Sequence, residues 1–162
     1  MPDIRADGVA VYAYRRAPGR IEFLQIRRAS GEYAQTWQAV YGGVERLRDG
    51  KWAETAVQAA LRELREETGL VPVRMFQVEY VEQFYFRPKD YVCVMPVFAA
   101  EVAVDAVVKL NDEHDSQRWV PEQQVETMFM WRSQREALRE IIRTLQQGSA
   151  GLGYLTIDVA TP

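Results

Sequence analysis

Two runs of apolar, β-branched and aromatic residues, 8–15 (GVAVYAYR) and 21–27 (IEFLQIR), flank the tripeptide Ala17-Pro18-Gly19. That pattern predicts a hairpin whose loop is somewhat longer than a two-residue turn. Residues 28–36 read as a polar loop, and Trp37–Val40 as a short strand ending at Gly42-Gly43. Asp49-Gly50 marks another turn. From about Ala53 to Thr68 strong helix formers run without an internal Gly or Pro. Ala56, Val57, Ala60, Leu61 and Leu64 recur there at helical spacing and form one apolar stripe. Gly69 stands where a C-terminal cap belongs, and Pro72 follows shortly after. Residues 73–86 and 91–104, rich in Val, Tyr and Phe, predict two or three strands with Arg87-Pro88-Lys89-Asp90 as a turn. Ser116–Val120 adds one more short strand. Ser133 with Glu136 forms a capping-box pattern that opens a second helix over 133–147. Its apolar face is Ala137, Leu138, Ile141, Ile142 and Leu145. Strands, helix, strands, helix is the order of an α+β chain: a mixed sheet with helices on both faces.

Composition narrows the function without naming it. With 162 residues, 48% of them hydrophobic, and no linker or repeat, the chain reads as a single domain over residues 1–162. Its 20 basic and 23 acidic side chains leave a net charge of −3, which argues against a stable nucleic-acid complex. One cysteine, Cys93, excludes an internal disulfide and any multi-cysteine zinc site, and its apolar surroundings predict a buried thiol. One histidine, His114, excludes a site built on two imidazoles. No stretch approaches the ~20 apolar residues of a membrane span, and the N-terminus lacks a signal-peptide core. The expectation is a cytoplasmic protein with no membrane partner, a monomer or a homodimer.

The chemistry is concentrated in Arg62-Glu63-Leu64-Arg65-Glu66-Glu67-Thr68-Gly69-Leu70. Glu63, Glu66 and Glu67 fall at i, i+3 and i+4, so three carboxylates share one side of the helix. Ala56, Ala59 and Ala60 lie one to two turns above them, and their short side chains leave room beside the acids. Like charges so placed destabilise an isolated helix by roughly 0.2–0.5 kcal/mol per pair. A divalent cation offsets that repulsion, and carboxylates without thiolates or an imidazole cluster suit Mg²⁺ or Mn²⁺ rather than Zn²⁺. Surface helices also carry Arg–Glu mixtures, and Arg62 with Glu66 fits an ordinary solvated i,i+4 pair. The whole string decides between these readings.

That string resembles the Nudix box, G-x5-E-x7-R-E-U-x-E-E-x-G-U, with U bulky and aliphatic. Glu54-x7-Arg62-Glu63-Leu64-x-Glu66-Glu67-x-Gly69-Leu70 matches it from the second specified residue to the end. From Arg62 onward, a chance match has a frequency on the order of 10⁻⁷ per starting position. The opening glycine is best taken as Gly42, which places eleven residues before Glu54 where the pattern has five. The surplus around Leu47–Trp52 reads as a lengthened loop that leaves the helix register intact. The resemblance implies an α/β/α sandwich that uses Mg²⁺ or Mn²⁺ to hydrolyse a nucleoside diphosphate linked to another group. By similarity, Glu66 and Glu67 are metal ligands, and Glu63 binds metal or acts as general base. Arg62 orients the acids, pairing with Glu54, and a backbone carbonyl near Gly42 joins the metal shell.

The rest of the chain is similar to the dihydroneopterin triphosphate and dATP pyrophosphohydrolase-like branch, less specifically. The similarity runs through Leu24–Arg28, Trp37–Gly42, Asn111–His114 with Trp119, and Trp131–Ala137. It implies a further metal-binding acid at Glu113, with His114 structural or near the substrate. Arg27 and Arg28 end a strand and are candidates for phosphate contact, or for plain surface charge. Trp37, Tyr85, Phe86 and Trp131 are candidates for stacking on a purine or pterin ring, or for packing. The expected reaction releases pyrophosphate and a monophosphate from a small nucleoside or pterin triphosphate. Alternatives are another nucleoside diphosphate derivative, such as a nucleotide sugar, ADP-ribose or a dinucleoside polyphosphate, or a non-catalytic ligand-binding domain. Retention of three mutually repelling acids argues against the last.

Overall fold

A computed structural model describes residues 1–160 of the protein. Its elements in chain order are β1 (Asp3–Arg5), β2 (Gly8–Ala17), β3 (Arg20–Arg28), β4 (Trp37–Gln38), β5 (Val40–Gly43) and α1 (Ala56–Thr68). There follow β6 (Arg74–Phe86), β7 (Tyr91–Glu101), β8 (His114–Pro121), α2 (Val125–Met128), α3 (Arg132–Gln147), α4 (Leu152–Leu155) and β9 (Thr156–Ile157). Among the described residues nine strands form one mixed sheet, with β4-β3-β2-β7-β6-β9 as its main path. β2 and β7 run parallel, while β2–β3, β3–β8 and β6–β7 are antiparallel.

Alternation along the strands sends two sets of side chains to two different helices. Val9, Val11, Leu24, Ile26 and Phe98 pack with Ala59, Ala60 and Leu64 of α1. Tyr12, Phe23, Val97 and Ala99 pack with Phe129 and with Ala137, Leu138 and Ile141 of α3. The mixed sheet with helices on both faces is thus the architecture that the hydrophobic pattern predicts. Among the described residues no helix is long and apolar enough to cross a membrane.

Three local expectations change. Ala17 pairs directly with Arg20, so the first hairpin turns on Pro18 and Gly19 alone. Proline supplies the fixed φ of the first turn position, and Gly19 takes the second at φ 75°. Ala59 and Ala60 do not open space beside the acids, because both are fully buried against the sheet. Their small size instead lets the α1 backbone approach the strands. Ser133 does not cap α3, which starts one residue earlier with Trp131 as N-cap and no side-chain cap. The Ser133 hydroxyl bonds Glu82, and Glu136 accepts from Tyr80 and Arg132. A true capping box does open α1: Thr55 accepts from the Gln58 N–H, and Gln58 returns a bond to the Thr55 N–H.

Candidate active site

α1 ends at Gly69 in the left-handed conformation, φ 70°, which fixes the register of the acids against the sheet. Arg62 is the organising side chain. Its Nε and Nη2 grip both oxygens of Glu54 at 3.1 and 2.6 Å. Nη1 reaches Glu63 Oε1 at 2.8 Å and Glu66 Oε2 at 3.1 Å, while Nη2 also donates to the Gly43 carbonyl at 2.8 Å. A planar fork with several donors can serve all these acceptors at once.

The three helix acids differ in exposure, and the difference follows the helical wheel. Glu66 has 57% of its side chain exposed, against 15% for Glu63 and 6% for Glu67. A groove on the outer flank of α1 takes in Leu61, Arg62 and Glu66 but neither Glu63 nor Glu67. Glu63 lies on Gly42, where there is no side chain to meet it. An added β-carbon there would stand 2.0 Å from Glu63 Cδ. Burial raises the Glu63 pKa; Arg62 and the Gly43 N–H oppose the rise.

Glu67 is the most perturbed carboxyl of the group. Burial, then the charges of Glu63 and Glu113, push its pKa up to about 9. The loop before β8 closes over it: the Asn111 N–H donates to the Glu67 carbonyl at 3.3 Å, and the Lys109 N–H to the Thr68 carbonyl at 2.7 Å. Glu113 is therefore brought to the Glu67 side of the molecule. The His114 ring is fully buried, with Nε2 4.0 Å from Glu67 Oε2 and Nδ1 3.2 Å from Asn111 Oδ1. Burial and Arg28 depress the imidazole pKa. A neutral imidazole facing a protonated carboxyl is no ion pair, so the 4.0 Å approach is a contact only.

A cation is tested against this arrangement by its unmet bonding. Glu67 Oε2, His114 Nε2 and Arg28 Nε are buried without hydrogen-bond partners. Unpaired buried polar atoms are costly, and two of these three have lone pairs to offer. Among the described residues no three His, Cys, Asp or Glu side chains stand close enough to enclose a metal ion. Arg62 accounts for part of this by holding Glu63 and Glu66 to itself. Mg²⁺ commonly takes only one or two carboxylates and completes its shell with waters and phosphate oxygens, so an open donor set fits it.

The substrate candidates do not all converge. Arg27 is held by Asp115, Nε to Oδ1 at 2.7 Å, while Arg28 is the arginine close to Glu67. The side-chain alternation of β3 accounts for the division. Trp37 has Arg118 over its ring at 4.0 Å and Arg27 at 5.7 Å, so cations cover it. Tyr85 donates to Asp90 at 2.7 Å and points away from its neighbour Phe86. Trp131 is the candidate that joins a cluster. Its ring lies 5.5 Å from Tyr33, which meets Phe86 edge-on at 5.4 Å, and Phe86 lies 5.3 Å from Tyr91. Tyr33 is a non-glycine residue at φ 57°, inside a loop whose sequence shows only polarity. Cys93 is buried, as expected.

Comparison with known proteins settles the family. The NUDIX domain profile matches residues 4–141, most of the chain. The chain belongs to the Nudix family. A curated relative, an octanoyltransferase of Myxococcus xanthus, is 34% identical over 122 residues, which are 74% of this chain. The chain spans about a third (31%) of that relative's length. Among solved structures, a C. elegans Ap4A hydrolase complex superposes with a TM-score of 0.73 at 21% identity, covering 88% of this chain and 99% of the other. The Nudix domain of Shewanella oneidensis NrtR with ADP ribose gives 0.71 at 16% identity, covering 90% of both. The MutT protein of Methanosarcina mazei Go1 gives 0.69 at 25% identity, covering 90% and 98%. These solved structures support the fold, and none of the comparisons supports the narrower dihydroneopterin triphosphate branch.

Proposed function

We propose that this Nudix protein hydrolyses a phosphorus anhydride of a nucleoside or pterin triphosphate, releasing pyrophosphate and a monophosphate. The observation that carries the reading is the buried, unpartnered Glu67 Oε2 beside Glu63 and Glu113. Glu63, Glu66, Glu67 and Glu113, with the backbone at Gly42, would hold Mg²⁺ or Mn²⁺. The ion supplies the positive charge that polyphosphate and clustered acids both require. Glu63, half-buried and resting on Gly42, takes a proton from the attacking water at its carboxylate. Arg62 keeps that carboxylate in place through Glu54 and the Gly43 carbonyl. Arg28 offers a guanidinium to a phosphate at the Glu67 side, replacing Arg27 in that role. Trp131, with Tyr33 and Phe86, offers aromatic faces to a planar ring.

A second reading, a dinucleoside polyphosphate substrate, draws support from the overlap with the C. elegans Ap4A hydrolase along 99% of that chain. The test is product release from dATP, GTP, dihydroneopterin triphosphate, diadenosine tetraphosphate and ADP-ribose, with and without Mg²⁺. Metal-dependent pyrophosphate release from a triphosphate is expected. Turnover confined to diadenosine tetraphosphate or ADP-ribose would replace the substrate, and no metal-dependent turnover of any would overturn the reading.

A further inference from the structure

On the α3 face of the sheet, outside the acid cluster, Glu82 is buried to 0% exposure. Tyr12 Oη donates to its Oε1, and Tyr41 Oη donates to its Oε2 at 2.8 Å. Gln134 of α3 donates in turn to Tyr41 Oη at 3.0 Å, and the Ser133 hydroxyl also bonds Glu82. A leucine would fill the same volume without the cost of removing a carboxylate from water. Such a buried group must therefore be judged by what it holds.

What it holds is the strand under the catalytic acids. β5 is four residues long and, among the described residues, is laddered only to β2 in the sheet. Tyr41 and Gly42 are neighbours within it, so their side-chain directions oppose. The Tyr41 ring passes to the α3 face and is tied to Glu82. Gly42 presents its bare Cα to the α1 face, where Glu63 lies against it. Arg62 grips the next carbonyl, of Gly43, at 2.8 Å from the α1 side. β5 is thus pinned from both faces, by an arginine above and a buried carboxylate below.

We propose that Glu82 is a positioning residue for the acid site, holding Tyr41 so that Gly42 and Gly43 keep Glu63 in its metal-competent place. The inference rests on the metal-binding reading given above. Tyr14 supplies the control, because it is a buried tyrosine of the same strand β2 whose hydroxyl donates to Glu101 at 3.0 Å, away from Glu82 and Tyr41, whereas the Tyr12 hydroxyl lies against Tyr41 itself. Removing either hydroxyl weakens the core, but only removal from Tyr41 releases the floor beneath Glu63.

The experiment is calorimetric titration of Mn²⁺ into the wild type, Tyr41→Phe and Tyr14→Phe, with circular dichroism and thermal melts on the same samples. Tyr41→Phe is expected to weaken Mn²⁺ binding on the order of tenfold, the low end for groups supporting a metal ligand from behind. Tyr14→Phe is expected to stay within about twofold of wild type while its melting temperature falls, because its lost bond, to Glu101, belongs to the core and not to β5. Equal Mn²⁺ affinity in all three proteins, or equal weakening in both variants, would overturn the positioning role. Should Tyr41→Phe not fold, Glu82→Gln replaces it: the volume stays, one acceptor is lost, and unchanged Mn²⁺ affinity is the overturning result. A wild type that takes up no Mn²⁺ overturns the metal reading itself and this inference with it. Binding by wild type without a Tyr41 effect overturns the inference alone.

Discussion

Glu63 and Gly42 occupy one another's space: the carboxylate rests where the glycine's β-carbon would be, 2.0 Å from Cδ and Cγ of the acid. Gly42 is not at positive φ, so its backbone would accept alanine. The conflict lies entirely with the acid. Gly42→Ala is expected to displace Glu63, lower turnover about 100-fold and cost about 1–3 kcal/mol of stability. Gly43→Ala is the control, since its added β-carbon meets nothing nearer than the Asp7 carbonyl at 3.8 Å. Steady-state kinetics and urea unfolding of both variants check the contrast.

Glu67 sets a pH dependence. Its pKa, raised to about 9 by burial and neighbouring acids, means the metal-free folded state holds a proton that the unfolded chain releases near 4.5. Between those values the folded state binds more protons, so stability falls as pH rises. The loss is up to about 1.4 kcal/mol per pH unit. Chemical denaturation of metal-free protein from pH 5 to pH 9 should show the decline, and Glu67→Gln should flatten it. If Glu67 ligates the proposed divalent ion, that ion competes with the proton, so Mn²⁺ affinity should strengthen across the same range, and Glu67→Gln should abolish that gain.

Arg62→Lys keeps the charge but loses the fork. One ammonium cannot hold both Glu54 oxygens, Glu63, Glu66 and the Gly43 carbonyl together. The expected cost is about 2 kcal/mol in urea unfolding, the range for lost hydrogen bonds to charged groups. Turnover should fall with it, because Glu63 loses its lateral restraint.

Trp131→Ala tests the aromatic cluster. If the ring carries a planar base, KM should rise about tenfold while kcat stays close to wild type. Tyr85→Ala should leave both constants unchanged, since its hydroxyl is committed to Asp90 and its ring faces the other way.

The helix and its acids were legible because their information is local: apolar spacing, a glycine stop, and carboxylates at i, i+3 and i+4. The same locality misled at Ser133 and Glu136, which satisfy the capping pattern as well as Thr55 and Gln58 do. Ser133 bonds a carboxylate fifty-one positions away in sequence, and local spacing contains no trace of that partner. Glu82 escaped notice for a related reason. It sits among mixed residues in β6, beyond an irregularity between Gln77 and Val81 that resets which side chains face inward. Arg27 and Arg28 were indistinguishable as a pair until the strand assigned them to different partners, Asp115 and the Glu67 region.

The lengthened segment before α1 folds back on itself. Arg46 pairs with Trp52 across an isolated bridge and lays its guanidinium 3.4 Å from the indole centre, and the Ala53 N–H returns to the Glu45 carbonyl at 2.9 Å. Entry and exit of the excursion are therefore adjacent, and Glu54 regains Arg62 as though nothing had intervened. Its length is mechanically uncoupled from the acids. The tip at Asp49-Gly50 is consequently a natural splice point, where residues can be added or trimmed to reshape the approach to the site without recalibrating its chemistry.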